Sequence, residues 1–267
     1  MTRITLQDIW SYKARKERFA MLTAYDYPTA VALDNAGIPL LLVGDTLGIF
    51  VQGHDTTMPV TMNAMVYHCE IVARAAKHAM VVGDLPFGAY HTLEAGIGNA
   101  GRLIKEAGVQ AVKLEGRHDA LIRHLTKMGI PVMGHLGLTP QAYHQLGGNK
   151  VQARTTAAAA ALIQDALALE SAGVFAMLLE AIPSVVAREV TGALKIPTIG
   201  IGAGPNCDGQ VLVSADMLGL HTGHSPRFVK RYAQLEADIA AAAGQFAEEV
   251  RRGVYPSADH SYNWALK

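Results

Sequence analysis

Cysteine is scarce in this chain, with two residues in 267, Cys69 and Cys207. One sits in a helical context and the other in a loop, a pair that builds neither a disulfide framework nor a metal cluster, so a reducing compartment is the expectation. Net charge is lacking as well. Lys and Arg balance Asp and Glu at 23 each, without a basic stripe, which argues against a nucleic-acid partner. No apolar run approaches the roughly eighteen residues of a membrane span, and Met1-Thr2-Arg3-Ile4-Thr5 has no apolar signal core. A cytoplasmic protein with no membrane partner is therefore expected. What the chain has in quantity is apolar surface: half its residues are hydrophobic, enough to bury a large core. The length suits one barrel-sized domain spanning 1–267.

An apolar run that stops at an acid organises the rest. Leu40-Leu41-Leu42-Val43-Gly44-Asp45-Thr46 is echoed by Met80-Val81-Val82-Gly83-Asp84-Leu85, and the interval between the aspartates holds one helix plus its loops. Runs of four or five aliphatic residues read as parallel strands buried on both faces, with Gly-Asp closing the carboxyl end where α/β ligand sites lie. The bland alternative is that each Asp caps the following loop or helix. In Ala111-Val112-Lys113-Leu114-Glu115-Gly116 the two charges are two residues apart and share a face, so Val112 and Leu114 face covering helices while Lys113 and Glu115 point inward. Burying such a pair is costly, and a third acid at a third strand end points to a site.

In chain order, a helix is expected over Leu6–Lys16, a first strand from Phe19, and a helix capped by Asp26 that stops at Ala36-Gly37. A long loop covers 48–61; its His54 and Asp55 are adjacent and are read as loop-ordering groups. Helices are expected from Asn63, Leu93, His118, Thr155 and Ser184, and a closing amphipathic helix from Gln234 to Arg252 followed by a polar tail. The fifth strand ends in His135 and the sixth at Glu180. Between them, Leu136–Ala153 is too long for an ordinary turn, and Gly147-Gly148 beside Lys150 suggests a cover over a pocket. Gly200, Gly202 and Gly204 miss the dinucleotide-binding spacing, so a tight turn or close backbone approach is expected there. His221 and His224 have an H-x-x-H spacing without a helix to present it, which disfavours zinc.

Eight strand candidates alternating with helices, without an internal boundary from Phe19 to about Leu220, predict a (β/α)8 TIM barrel. Strands two, three and four are neighbours in that fold, so Asp45, Asp84 and Glu115 converge. Three hard oxygen donors without clustered Cys or His favour Mg²⁺, or Mn²⁺ in its place. Strand six lies opposite strand two, which places Glu180 across the mouth as a candidate base.

From Thr5 to His260 the chain resembles the ketopantoate hydroxymethyltransferase family. The motifs that carry this are Thr23-Ala24-Tyr25-Asp26-Tyr27, Val43-Gly44-Asp45-Thr46-Leu47-Gly48, Val51-Gln52-Gly53-His54-Asp55, Asp84-Leu85-Pro86-Phe87, Val112-Lys113-Leu114-Glu115-Gly116, Gly134-His135-Leu136-Gly137-Leu138-Thr139-Pro140-Gln141 and Ile199-Gly200-Ile201-Gly202-Ala203-Gly204. The resemblance implies transfer of a hydroxymethyl group from 5,10-methylenetetrahydrofolate to 3-methyl-2-oxobutanoate, in the pathway to pantothenate and coenzyme A. It implies Mg²⁺ held by Asp45, Asp84 and Glu115, the keto acid on Asp45, Thr46, Asp84 and Lys113 with His135 nearby, Glu180 as proton acceptor, and a homodecamer. Thr46 stands where the family usually has Ser, adding a methyl beside the substrate. Two rivals compete with this reading. One is a carbon–carbon lyase related to the phosphoenolpyruvate mutases, disfavoured because neither Cys69 nor Cys207 sits where those lyases keep a catalytic cysteine. The other is a non-catalytic metabolite sensor, disfavoured by the complete set of metal, lysine and base candidates.

Overall fold

A computed structural model describes residues 2–220, 223, 225–262 and 264. Eight parallel strands follow one another in sequence order and close into a barrel: β1 (Phe19–Thr23), β2 (Leu40–Val43), β3 (Met80–Asp84), β4 (Ala111–Glu115), β5 (Val132–Gly137), β6 (Ala176–Glu180), β7 (Thr198–Ile201) and β8 (Gly209–Leu212). The helices are α1 (Leu6–Arg15), α2 (Tyr27–Asn35), α3 (Leu47–Phe50), α4 (Met62–Ala75), α5 (Leu93–Lys105), α6 (Asp119–Lys127), α7 (Tyr143–Leu146), α8 (Thr156–Ala172), α9 (Ser184–Ala193), α10 (Ser214–Leu218) and α11 (Leu235–Arg251). The fold is thus the (β/α)8 barrel that the strand rhythm predicts. The chain groups into two compact units, Met1–Ser214, which carries the whole barrel, and Ala215–Lys267. None of the described helices is long and apolar enough to cross a membrane.

Local chemistry sets the helix limits. Thr61, Thr92 and Thr155 each accept the backbone N–H three residues on, starting α4, α5 and α8, because a threonine hydroxyl satisfies a donor that the first helical turn leaves free. Asp26 does the same for α2 through Thr29 N at 2.9 Å. The long loop after β2 is not wholly irregular: α3 occupies its start, and the last stretch leads to Thr61.

Alternation along each strand separates two environments. Leu40, Leu42, Met80, Val82, Met133, Leu178, Ile199 and Val211 fill the barrel interior. α1 closes its amino-terminal end, with Ile9 fully buried in that cluster and Leu6 and Tyr12 packed against it. Polar anchors hold the helix there. Trp10 Nε1 donates to Phe175 O at 3.1 Å, and Lys13 Nζ to Asp208 at 2.9 Å. The acids lie at the opposite end of the barrel, at the carboxyl ends of the strands, where they line a cavity.

Asp34, buried in the last turn of α2, ties that helix to the entry of β3. Its carboxylate accepts from Lys77 N (2.9 Å), His78 N (3.0 Å) and Ala79 N (2.6 Å). Burial works against the charge, but these donors outweigh it and hold the carboxyl below its ordinary range. Asp34→Asn should lower stability by about 2 kcal/mol at neutral pH, since one acceptor oxygen is lost and a donor intrudes. A depressed folded-state pKa contributes stability above the unfolded value, near 4, that is lost as pH falls through the folded value. The gap between parent and variant in chemical denaturation should therefore narrow in acid. A gap that stayed constant down to about pH 2.5 would contradict this assignment.

Candidate active site

The sheet register assembles the site. Asp84 pairs with Lys113, Glu115 with His135, and Gly137 with Glu180 on adjacent strands, so inward side chains at the strand ends meet in one layer. Lys113 Nζ donates to Asp84 Oδ2 at 2.8 Å and to Glu115 Oε1 at 3.1 Å. His135 continues the row, its Nδ1 lying 3.3 Å from Glu115 Oε1 and its Nε2 3.3 Å from Glu180 Oε2. Neither ring nitrogen is aligned for a hydrogen bond, so these contacts act through charge. At the other end Asp45, just past β2, donates its N–H to Asp84 Oδ2 at 3.2 Å. An unbroken line of charged groups thus runs from Asp45 on one side of the mouth to Glu180 on the other. Thr46 faces the same cavity, and its hydroxyl is 2.7 Å from Tyr25 OH.

Burial distinguishes the members of this line. The Asp84 side chain is 1% exposed and that of Glu180 is 18% exposed, so Glu180 is the more open of the two and lines the cavity. Burial, reinforced by repulsion from Asp84 and Glu115, pushes the Asp45 carboxyl well up, and burial with Glu115 raises that of Asp84, in each case in spite of Lys113. Burial also opposes ionisation of Glu115, but Lys113 and His135 outweigh it and hold that carboxyl at about 2. The three carboxylates lift the Lys113 ammonium well above its ordinary value against the cost of burial. For His135, burial and Lys113 lower the pKa, yet Glu115 and Glu180 prevail and raise it.

This charge balance fits a hard divalent cation. Three buried carboxylates face one ammonium, and Asp84 Oδ1 is buried with no hydrogen-bond partner, an expensive condition for a carboxylate that a metal would relieve. Asp45 and Asp84 are the acids with oxygens to spare. Glu115 is turned to Lys113, His135 and the N–H of Gln141 at 3.0 Å. In keeping with this, no group of three or more His, Cys, Asp and Glu among the described residues is gathered to hold an ion by itself.

The cavity these groups line is ≈ 50 Å³, space for roughly four waters, about the bulk of a small oxo acid. Leu178, Ile201, Val211 and Val213 give it an apolar floor and far wall, suited to a branched aliphatic end. A small ligand held between that wall and the charged row would have Lys113 and the acids on one side and Glu180 on the other.

Several contributors were not assigned roles from the sequence. Gln141 is buried and donates its Nε2 to Asp45 Oδ2 at 2.8 Å and to Leu85 O at 2.9 Å, and its own N–H holds Glu115. The segment after β5, read as a cover, therefore also braces two of the acids through a short helical turn at Pro140–Ala142. Tyr90 donates to Gln141 Oε1 and accepts from Glu115 N. Gly137 has a positive φ of 96°, and a Cβ there would meet Glu180 O at 2.2 Å; only glycine permits β5 to pass Glu180 so closely. Ala181, immediately after Glu180, has φ 47°, a left-handed conformation that costs an alanine of the order of 1 kcal/mol. The only obvious cue was the Thr139-Pro140-Gln141 string close after a strand-end histidine.

Other candidates fall away from the mouth. His54 and Asp55 are exposed. Cys69 is buried on α4, within 3.0 Å of the point where a Cβ on Gly83 would sit, outside the barrel. The glycine run packs as expected: a Cβ on Gly204 would meet Ser184 at 2.5 Å. His221 and His224 lie outside the described residues.

Solved structures place this architecture in a known class. The chain is similar to 2,3-dimethylmalate lyase, a member of the PEP mutase/isocitrate lyase superfamily, at TM-score 0.61 with 16% identity over 98% of this chain and 93% of the other. Phosphonopyruvate hydrolase is similar at TM-score 0.62 and 14% identity, covering 99% and 92%. At such identities the likeness concerns the fold, the (β/α)8 barrel. Sequence is more specific. The model of the family described as ketopantoate hydroxymethyltransferase matches residues 3–258. The 3-methyl-2-oxobutanoate hydroxymethyltransferase of Heliobacterium modesticaldum is 51% identical over 97% of this chain and 95% of its own length, and those of Pelobacter propionicus and Moorella thermoacetica are 50% and 51% identical over 98% of both chains. The chain belongs to the ketopantoate hydroxymethyltransferase family and is a hydroxymethyltransferase by class.

Proposed function

We propose that this chain transfers a hydroxymethyl group from 5,10-methylenetetrahydrofolate to 3-methyl-2-oxobutanoate, giving 2-dehydropantoate for pantothenate and coenzyme A synthesis. The observation that carries this is the buried Lys113, held between Asp84 and Glu115 and facing Glu180 across a cavity with an apolar wall. Asp45 and Asp84 would hold Mg²⁺, which when bound supplies Lewis-acid polarisation of the keto oxygen, while Glu115, expected from the sequence as a third ligand, is turned to Lys113, His135 and the Gln141 N–H.

The protein's own groups account for the rest. The keto acid lies with its branched end against Leu178, Ile201 and Val211 and its carboxylate near the Asp45–Thr46 backbone, where the Thr46 hydroxyl is positioned by Tyr25. Glu180 removes the C3 proton and passes it to water at the cavity mouth. His135, whose pKa is raised by Glu115 and Glu180 against the effect of burial and Lys113, lies 3.3 Å from the Glu180 carboxylate and stabilises its charge. The Lys113 ammonium faces the oxygen on which negative charge develops. Water adds to the folate methylene and both of its C–N bonds break, releasing tetrahydrofolate and formaldehyde; the carbanionic C3 adds to the formaldehyde carbon, and the resulting alkoxide takes up a proton to become the hydroxymethyl group. The cytoplasm is the expected location. Assembly as a homodecamer belongs to the same reading and rests on the family resemblance.

Incubating the protein with 3-methyl-2-oxobutanoate and methylenetetrahydrofolate, with and without Mg²⁺, tests the proposal. Metal-dependent formation of 2-dehydropantoate supports it, and no product in either condition refutes it. Asp84→Asn should abolish metal-dependent turnover while the barrel stays folded, because the amide keeps shape and loses charge. Calorimetric titration should show Mg²⁺ binding weakened by about tenfold to a hundredfold. Parent-like activity at limiting Mg²⁺ would rule out a metal role for Asp84.

A further inference from the structure

A second and larger cavity, ≈ 430 Å³, opens above the carboxyl ends of β3 to β5. Its walls come from the loop after β3 (Phe87, Tyr90 and His91), the start of α6 (His118) and the segment after β5 (Thr139 and Gln141). Glu115 lines both this cavity and the mouth cavity, so the two adjoin there. Their chemistry differs. The mouth is lined by charge, whereas the second cavity is lined by rings and neutral hydrogen-bonding groups. Tyr90 and His118 meet edge to face, with centroids 4.8 Å apart and planes at 89°, forming a rigid corner against which a flat heterocycle can pack. Burial keeps the His118 imidazole below its ordinary pKa despite Asp119, so it presents a neutral ring. Thr139 and Gln145 offer a hydroxyl and a carboxamide that match the donor and acceptor edge of an amide-bearing ring.

The volume is that of a pocket for a ring-sized ligand, far more than a small oxo acid fills. The partition between the cavities is thin. It consists of Tyr90 and Gln141, joined by the hydrogen bond from the Tyr90 hydroxyl to Gln141 Oε1 and tied to Glu115 through its N–H. We propose that this cavity binds the reduced pteridine ring of the one-carbon donor, with the carbon-bearing edge directed to the Glu115 end. The proposal rests on the transfer reaction inferred above and adds where the second substrate lies. The same side chains that brace Asp45 and Glu115 then form the boundary across which the one-carbon unit is delivered.

Two variants of the full chain test it. His118→Ala removes one ring of the corner, and because His118 makes no side-chain cap bond to α6, the helix loses little. Ala142→Trp fills the cavity from the opposite wall. Calorimetry with tetrahydrofolate should show Kd raised about tenfold or more in each, with the KM for methylenetetrahydrofolate rising in parallel and kcat changing much less. A variant whose melting temperature matches the parent's and whose tetrahydrofolate Kd also matches overturns the proposal, as does a change in keto-acid KM alone. If one substitution prevents folding, the other decides. A parent protein that binds tetrahydrofolate and turns over, with both variants unchanged, removes this cavity as the donor site and leaves the proposed reaction standing. A parent that neither binds tetrahydrofolate nor transfers from its methylene form overturns the reaction and this assignment together.

Discussion

Lys113→Met should lower turnover by about a hundred- to a thousandfold while leaving the barrel folded. Methionine preserves the apolar stem that passes through the interior of β4 and deletes the ammonium that bonds Asp84 and Glu115. Breaking a buried ion pair by removing one partner ordinarily costs about 3–5 kcal/mol. Here the cost is moderated, because burial already shifts the Asp45 and Asp84 carboxyls upward and losing the ammonium shifts them further, so that they can take up a proton instead of remaining as naked charges. The predicted loss is in kcat, since the ammonium is needed most when the keto oxygen gains charge. Steady-state kinetics at saturating metal separate the cases. If only the apparent metal affinity changed, Lys113 would be a neighbour that neutralises Glu115 and nothing more.

Glu180→Gln should reduce turnover by a comparable or larger factor, about a hundred- to ten-thousandfold. The amide retains the size of the carboxylate and its place on β6, set by the close pass of Gly137 and the left-handed Ala181, yet it cannot accept a proton near neutral pH. Calorimetry should find keto acid and Mg²⁺ still bound. His135 lies 3.3 Å from Glu180 and is the next group in line as a base. Its two carboxylate neighbours keep it disposed to carry a proton, which makes it a poorer acceptor. Turnover near the parent's rate in Glu180→Gln would move the proton-accepting role to another group.

The barrel and the inward acids were legible in the sequence for one reason: both follow from periodicity. Aliphatic runs ending at Gly44-Asp45 and Gly83-Asp84 mark parallel strands, and the spacing of Lys113 and Glu115 puts both on the inner face, where they lie almost wholly buried. A closed barrel in sequence order then brings Asp84, Glu115 and His135 together without further information. What periodicity does not convey is the contact made by a loop. Gln141 belongs to a segment whose path depends on β5 passing Glu180 through a glycine, and nothing in local propensity states that its side chain would reach Asp45. Tyr90, in the loop after β3, is in the same position.

The central claim is that this site removes the C3 proton of a branched oxo acid before any folate chemistry occurs, and that step can be observed alone. In D₂O, with Mg²⁺ and no folate, the protein should exchange the C3 hydrogen of 3-methyl-2-oxobutanoate, seen by NMR as loss of the methine signal and collapse of the methyl doublet. Glu180→Gln should leave that signal in place. A methine that persists at the protein-free rate with keto acid and metal both saturating, or that disappears equally fast with Glu180→Gln, would contradict the account.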